Sequence, residues 1–240
     1  MSCEPDIATP TADLVAAAQC GDCARRGRCI GGLLVAGMTP EQINAVGMSR
    51  SVLDKGDHLF RVGEPAEHLY AVRGGALKTY VTTAAGEEEI RGFQLSEDIA
   101  GLDAVCQPQF RSSARALSRT WVCRLPIAAV QLHMLKSSSF RDKVLAGLGR
   151  ELDRLHGMLH RERCSADQRV ASFLISRLDS TAQSGAEVDL PMSRVDLARY
   201  LDMAAETISR VFTRLQKRNI LRSGGAGCQV VDRAALYAMA

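Results

Sequence analysis

From about Ser51 to Leu125, apolar and polar residues alternate in short runs cut off by glycine turns. The clearest runs are His58-Leu59-Phe60-Arg61-Val62, His68-Leu69-Tyr70-Ala71-Val72, Ala76-Leu77-Lys78-Thr79-Tyr80-Val81 and Thr120-Trp121-Val122-Cys123-Arg124-Leu125. Turn signals fall at Lys55-Gly56, Gly63, Gly74-Gly75 and Ala85-Gly86. A period of two sends successive side chains to opposite faces of a strand, and strands this short at this spacing close into an antiparallel barrel or jelly roll. Sugar-binding and cyclic-nucleotide-binding modules share that shape, so the roll fixes an architecture and leaves the chemistry to individual residues.

After Pro126 the pattern turns helical. Leu145, Leu148, Leu152, Leu155 and Leu159 recur at alternating steps of three and four, the seam spacing of a two-stranded coiled coil. A leucine stripe is often plain core, but this one is narrow and flanked by Arg150, Glu151, Asp153, Arg154, Arg161 and Glu162. The balance favours a dimerisation helix and hence a homodimer. From Ser165 a second domain begins. Ser165-Ala166-Asp167-Gln168 has capping-box spacing and opens a helix through about Leu178, with a polar break around 180–185. Ser193-Arg194-Val195-Asp196 opens another short helix, Asp202-Met203-Ala204 turns, and a second helix runs from about Ala205 to Arg218. That is a helix-turn-helix. Gly224, Gly225 and Gly227 followed by Gln229-Val230-Val231 read as a wing hairpin. The expected architecture is α+β: an arm over 1–50, an antiparallel β-roll over 51–137, a long dimerisation helix over 138–164 and a winged helix-turn-helix over 165–240.

A net charge of +3 is too small to identify a nucleic-acid partner, so its distribution decides. Arg199, Arg210, Arg214, Lys217, Arg218 and Arg222 face only Asp202 and Glu206 in that stretch, which suits a phosphate-facing surface. Glu206, Ser209 and Arg210 stand at i, i+3 and i+4 near the N-terminal end of the second helix, the end that enters a major groove. Arg pairs with guanine O6 and N7, Glu accepts from cytosine N4, and Ser serves either role. A solvated Glu206–Arg210 pair, worth about 0.2–0.5 kcal/mol, is the competing account. The capped helix before it and the cations after it favour double-stranded DNA.

Cys20, Cys23 and Cys29 form a Cys-x2-Cys-x5-Cys run separated by small or polar residues. The first residues, Met1-Ser2-Cys3-Glu4-Pro5-Asp6, carry neither the basic nor the apolar region of a secretory signal, and no apolar run reaches the length of a membrane span. The expected compartment is the reducing cytoplasm, where thiols at this density are ligands rather than disulfide partners. Zinc also takes four thiolates, but its second Cys-x2-Cys pair is absent, which ranks zinc below iron–sulfur. By sequence alone Cys123 and Cys106 compete for a fourth ligand; Cys3, Cys164 and Cys228 read as a terminal thiol and small residues. His156 and His160 are four apart on the dimer helix without a third donor, and a solvated face is the simpler reading. Hydrolase, kinase and dinucleotide motifs are absent, so an enzyme is not expected.

The cysteine run, Trp121-Val122-Cys123, Leu69-Tyr70-Ala71-Val72-Arg73 and Glu206-Thr207-Ile208-Ser209-Arg210 together resemble the FNR branch of the cyclic-AMP receptor/FNR family of bacterial transcription regulators, over nearly the whole chain. The resemblance implies an oxygen-sensing regulator with a [4Fe-4S] cluster held by Cys20, Cys23, Cys29 and Cys123. It implies a cluster-loaded dimer on palindromic TTGAT-type sites, at which genes of anaerobic metabolism are activated or repressed, with binding lost when oxygen degrades the cluster. It places DNA contacts on Glu206, Thr207, Ser209 and Arg210, with Arg214 and Lys217 beside them, and an RNA polymerase contact on the turn holding Thr83, Gly86 and Glu87. A cyclic-nucleotide-responsive regulator is the competitor of the same fold. Here Asp98-Ile99-Ala100-Gly101 continues as Leu102, where such regulators carry a Gly-Glu pair, although Arg111-Ser112 superficially matches their phosphate-holding pair. An iron–sulfur electron carrier with a helical domain is the competitor of a different class.

Overall fold

The computed structural model describes residues 14–17, 23, 29–159, 164–180, 187–224 and 227–240, with backbone alone at 14–17, 159, 179 and 180. Cys3, Cys20, His160, Gly225, most of the loop between the arm cysteines and the polar stretch 181–186 lie outside them. Two compact units result, one within 1–79 and 93–148, the other within 80–92 and 149–240.

The elements leading through the roll are β1 (Leu14–Ala17), α1 (Ile30–Leu34), α2 (Pro40–Ala45), β2 (Ser49–Leu53), β3 (His58–Phe60), β4 (His68–Gly74), β5 (Leu77–Thr82), β6 (Glu88–Gln94), β7 (Ile99–Ala100), β8 (Ser113–Ala116) and β9 (Thr120–Pro126). They form two sheets, ordered β1-β2-β9-β4-β7 and β3-β8-β5-β6. The antiparallel roll expected from the alternating runs is present. The glycine turns do what their position requires: at Gly75, φ is 81° and a Cβ would lie 2.4 Å from the Arg119 carbonyl oxygen, so no larger residue fits there.

Alternation along β4 and β9 divides two apolar clusters between the faces of the first sheet. Leu53, Tyr70, Val72 and Val122 point between the sheets with Phe60, Leu77 and Phe110, and the Phe60 and Phe110 rings stack with centroids 3.9 Å apart. Leu69, Ala71, Cys123 and Leu125 point the other way, where Ile30, Leu34, Val35 and Met48 of the arm cover them. β4 and β9 thus bury both faces in their middles, which is why alternation breaks there into the continuous apolar runs Leu69-Tyr70-Ala71-Val72 and Val122-Cys123. Beyond them α3 (Ile127–Lys136) and α4 (Ser138–Leu159) follow, and Val130, Phe140 and Val144 close the outer cluster.

In the second unit α5 (Ala166–Ser180), β10 (Glu187–Asp189), α6 (Arg194–Leu201), α7 (Ala205–Lys217), β11 (Leu221–Gly224), β12 (Gly227–Val230) and α8 (Arg233–Tyr237) follow. The Ser165–Gln168 capping box forms reciprocally, and Ser193 caps α6 by accepting from the Asp196 N–H at 2.9 Å. Asp202 turns the chain with φ 53°, a conformation Asp tolerates because its short polar side chain bonds locally. The expected hairpin is present and gains a third strand, in the order β10-β12-β11. That strand follows the polar stretch and is only three residues long, too short to announce itself by periodicity. No helix among the described residues is long and apolar enough to cross a membrane.

Candidate functional site

β9 lies between β2 and β4, and its Cys123 is paired with Arg50 on one side and Ala71 on the other. Directly opposed residues of antiparallel strands project from one face, so Arg50, Cys123 and Ala71 form a row. Arg73, two residues past Ala71, lines the same cleft. From above, α1 starts immediately after Cys29 and lies close to the sheet. A Cβ at Gly31 would come 3.0 Å from Met48 Cε, so the missing side chain leaves space for that methionine, and would be in ordinary contact with Cys29 Sγ at 3.5 Å.

The result is a narrow cleft, partly open to solvent, lined by Cys23, Cys29 and Cys123 together with Arg50, Arg73 and Glu97. Cys123 is 5% exposed; Cys23 and Cys29 are half-buried, and none of the described cysteines is in a disulfide. Arg73 Nη2 donates to Cys23 Sγ at 3.7 Å. Cys106 is exposed and does not line the cleft, so tertiary placement separates two cysteines that sequence left in competition. Cys20 lies outside the described residues. Among those described, no three Cys, His, Asp or Glu side chains are grouped as one metal ion would need, His156 included; the thiols are distributed around the cleft. The donor chemistry, soft thiolates in a largely apolar wall beside cations, fits an iron–sulfur group. Burial holds the Cys228 thiol up, at about 11, with Arg194 opposing, in keeping with a packing role for that cysteine.

At the other site, α7 is amphipathic. Ile208, Val211, Phe212 and Leu215 are buried, and Glu206, Ser209 and Arg210 are exposed, with Thr207 half-buried. Ser209, Arg210, Thr213 and Arg214 border a shallow open depression. The Ser209 hydroxyl donates to the Ala205 carbonyl at 3.1 Å and keeps its lone pairs for an incoming donor. Arg214 is turned toward Asp167, with which it forms an ion pair; Lys217 is exposed in the last turn. Two supports had no signal in the sequence. Arg169 of α5 donates to the Leu201 and Asp202 carbonyls at 3.1 and 2.9 Å, satisfying the C-terminal end of α6 at the turn. Arg194 lies 3.8 Å over the Phe212 ring and ties α6 to α7.

Leu145, Leu152 and Leu155 of α4 are exposed at 51%, 57% and 37%. Leu148 is instead half-buried against the cluster that holds Phe140 and Val144, and the Leu159 side chain lies outside the description. The turn holding Thr83, Gly86 and Glu87 is exposed and closed by Gly86 N–H to the Thr83 carbonyl and Thr83 N–H to the Glu87 carbonyl, both 2.9 Å.

Comparison with known proteins matches the Crp-like helix-turn-helix domain over residues 168–239 and the cyclic nucleotide-binding domain over residues 50–136. The chain is 34% identical over 227 residues to the transcriptional activator protein FnrA of Stutzerimonas stutzeri, covering 93% of each. It is 32% identical to the fumarate and nitrate reduction regulatory protein of Yersinia pestis, covering 83% of this chain and 82% of that one. Among solved structures it is similar to FixK2 from Bradyrhizobium japonicum, with a TM-score of 0.71 and 28% identity over 80% of this chain and 96% of that one.

Proposed function

The chain belongs to the FNR/Anr-type transcription regulators of the Crp/Fnr family, and from that premise we propose that it is a cytoplasmic, oxygen-responsive, DNA-binding homodimer rather than an enzyme. The observation that carries the reading is the convergence of Cys23, Cys29 and Cys123 on one cleft in a chain that also presents an exposed polar face on α7. Cys20, Cys23, Cys29 and Cys123 would hold a [4Fe-4S] cluster. When bound, that group supplies an oxygen-labile centre that ties the arm to β9.

The protein's own residues do the rest. Ile30 and Leu34 hold the arm on the sheet, so displacement of Cys29 disturbs the cover over Leu69 and Leu125. α4 is buried in the same cluster through Phe140 and Val144, the latter immediately before the exposed Leu145. A change at the cleft therefore reaches the seam through packed side chains. Gly149 and Gly157 of α4 have nothing within 4 Å of their missing Cβ, and glycine costs a helix about 0.5–1 kcal/mol relative to alanine. A dimer helix weakened in this way is sensitive to the modest bias a bound group provides. In the dimer two copies of α7 would read the halves of a TTGAT-type palindrome, Arg210 at guanine and Glu206 at cytosine. The Thr83–Glu87 turn would offer a contact to RNA polymerase. The match to the cyclic nucleotide-binding domain describes the roll, whose interior is filled by Phe60, Tyr70, Leu77 and Phe110.

Anaerobic purification tests the proposal: about four irons and four acid-labile sulfides per chain are expected, with retention of the palindromic duplex that is lost on exposure to air. One zinc and no sulfide, or binding indifferent to air, overturns it.

A further inference from the structure

The cysteine cleft contains a cation for which neither cysteine spacing nor the helix-turn-helix gives a reason. Arg73 leaves β4 on the cleft side, donates from Nη2 to Cys23 Sγ at 3.7 Å, and keeps its buried Nε without a hydrogen-bond acceptor among the described residues. Arg50, the cross-strand partner of Cys123, lines the same cleft. Arg73 is half-buried, and a guanidinium partly withdrawn from water is stabilised by negative charge close to it. The groups on the described walls that can carry negative charge are the cysteine thiols, once they ligate, and the Glu97 carboxylate, and Glu97 is exposed at the rim. Its backbone has φ 80°, a rare conformation for a residue other than glycine.

Resting on the cluster reading above, we propose that Arg73 is the positioning residue of this site: its guanidinium orients the Cys23 thiolate toward the cleft and, with Arg50, offsets the negative charge of a four-thiolate cluster. The register delivers this arrangement. Cys123 sits between Arg50 and Ala71, so a ligand on β9 has a cation of β2 directly opposite, while Arg73, two residues beyond Ala71 on β4, lines the same cleft. Hydrogen bonds to the sulfurs and local net charge are what set the potential of such a group. A cation beside the thiolates stabilises the more negative, reduced state and makes loss of an electron to oxygen harder. Second-shell partners of this kind typically govern retention by about 10- to 100-fold.

Four anaerobically reconstituted proteins decide it: wild type, Arg73→Gln, Arg73→Lys and, as an exposed control away from the cleft, Arg111→Gln. Iron and sulfide content, midpoint potential, decay of the cluster absorbance in air and the unfolding midpoint of the metal-free proteins are measured. Arg73→Gln is expected to shift the potential negative and shorten the lifetime in air about tenfold. Arg73→Lys should recover most of both, and Arg111→Gln should match wild type. Wild-type potential and lifetime in Arg73→Gln overturn the proposal. So does a loss that Arg73→Lys fails to recover while the metal-free unfolding midpoint falls, since that is the signature of packing alone. A wild type that takes up neither iron nor sulfide sinks the cluster reading itself, and the wild-type sample alone reveals that outcome.

Discussion

In the cysteine cleft the chemistry is turned inward, and on α7 it is turned out. Cys123 is 5% exposed, Arg73 buries its Nε, and an apolar cluster through Ile30, Leu69 and Leu125 surrounds them. On α7, Glu206, Ser209 and Arg210 stand in solvent while Ile208 and Leu215 are fully buried beneath them. The two sites answer different physical demands. Thiols set in a largely apolar wall interact strongly with neighbouring charge, since low dielectric strengthens each local interaction. A base-reading surface needs hydrated, mobile donors and acceptors until DNA replaces the water. Loss of a cleft thiol is therefore expected to act all-or-none, and substitutions on α7 to act by degrees.

The largest expected effect sharpens this contrast within one residue type. Cys123→Ser should abolish iron and sulfide incorporation, whereas Cys106→Ser should leave both at the wild-type level, measured by metal and sulfide analysis after anaerobic purification. The ranking follows from burial beside the arm cysteines for the one and exposure away from the cleft for the other. The reverse ranking would move the fourth ligand and dissolve the comparison.

Next in size is the leucine seam of α4. Leu155, 37% exposed in the single chain, should become unable to pair when charged. Leu155→Asp is expected to sediment as a monomer even when loaded and to lose specific DNA retention, because burying an uncompensated carboxylate in an apolar seam costs several kcal/mol. A Leu155→Asp protein that stays dimeric and retains the duplex would show that association uses another surface.

The smallest effect lies on the exposed face. Arg210→Ala should cost about 1–3 kcal/mol on the cognate duplex and relax preference at the guanine. Lys217→Ala should weaken cognate and scrambled duplexes alike and lower the slope of log affinity against log salt by about one. Equilibrium titrations at several salt concentrations separate the two. Unchanged discrimination in Arg210→Ala would place base reading elsewhere on the helix.

The helix-turn-helix was legible because its signals are local. Capping residues at Ser165 and Ser193, a turn at Asp202 and the i, i+3, i+4 face of α7 all lie within a few residues of the structure they specify. Arg214 was grouped with that face on charge and spacing, yet it pairs with Asp167, 47 residues earlier. The roll was legible from the five- and six-residue runs around β3, β4, β5 and β9, bounded by glycine turns. β7 and β10, two and three residues long, carry too little pattern to be seen. Half of the cleft was legible as well, since three cysteines in ten residues announce themselves. Arg50 and Arg73 did not, because an arginine on a strand is ordinary until something unusual stands opposite it.

The sequence by itself determined the order of roll, helix and DNA-reading domain, the amphipathic face of α7 and the thiol-rich arm, because periodicity, capping and ligand spacing act over a few residues. Only the tertiary structure decided which of Cys123 and Cys106 lines the cleft beside the arm cysteines, which leucines of α4 remain exposed, and which cations lie near the thiols. Those depend on strand register and on helices docking over a sheet. Arg50 and Cys123 are 73 positions apart in the chain and are brought together by a single ladder of antiparallel hydrogen bonds between β2 and β9.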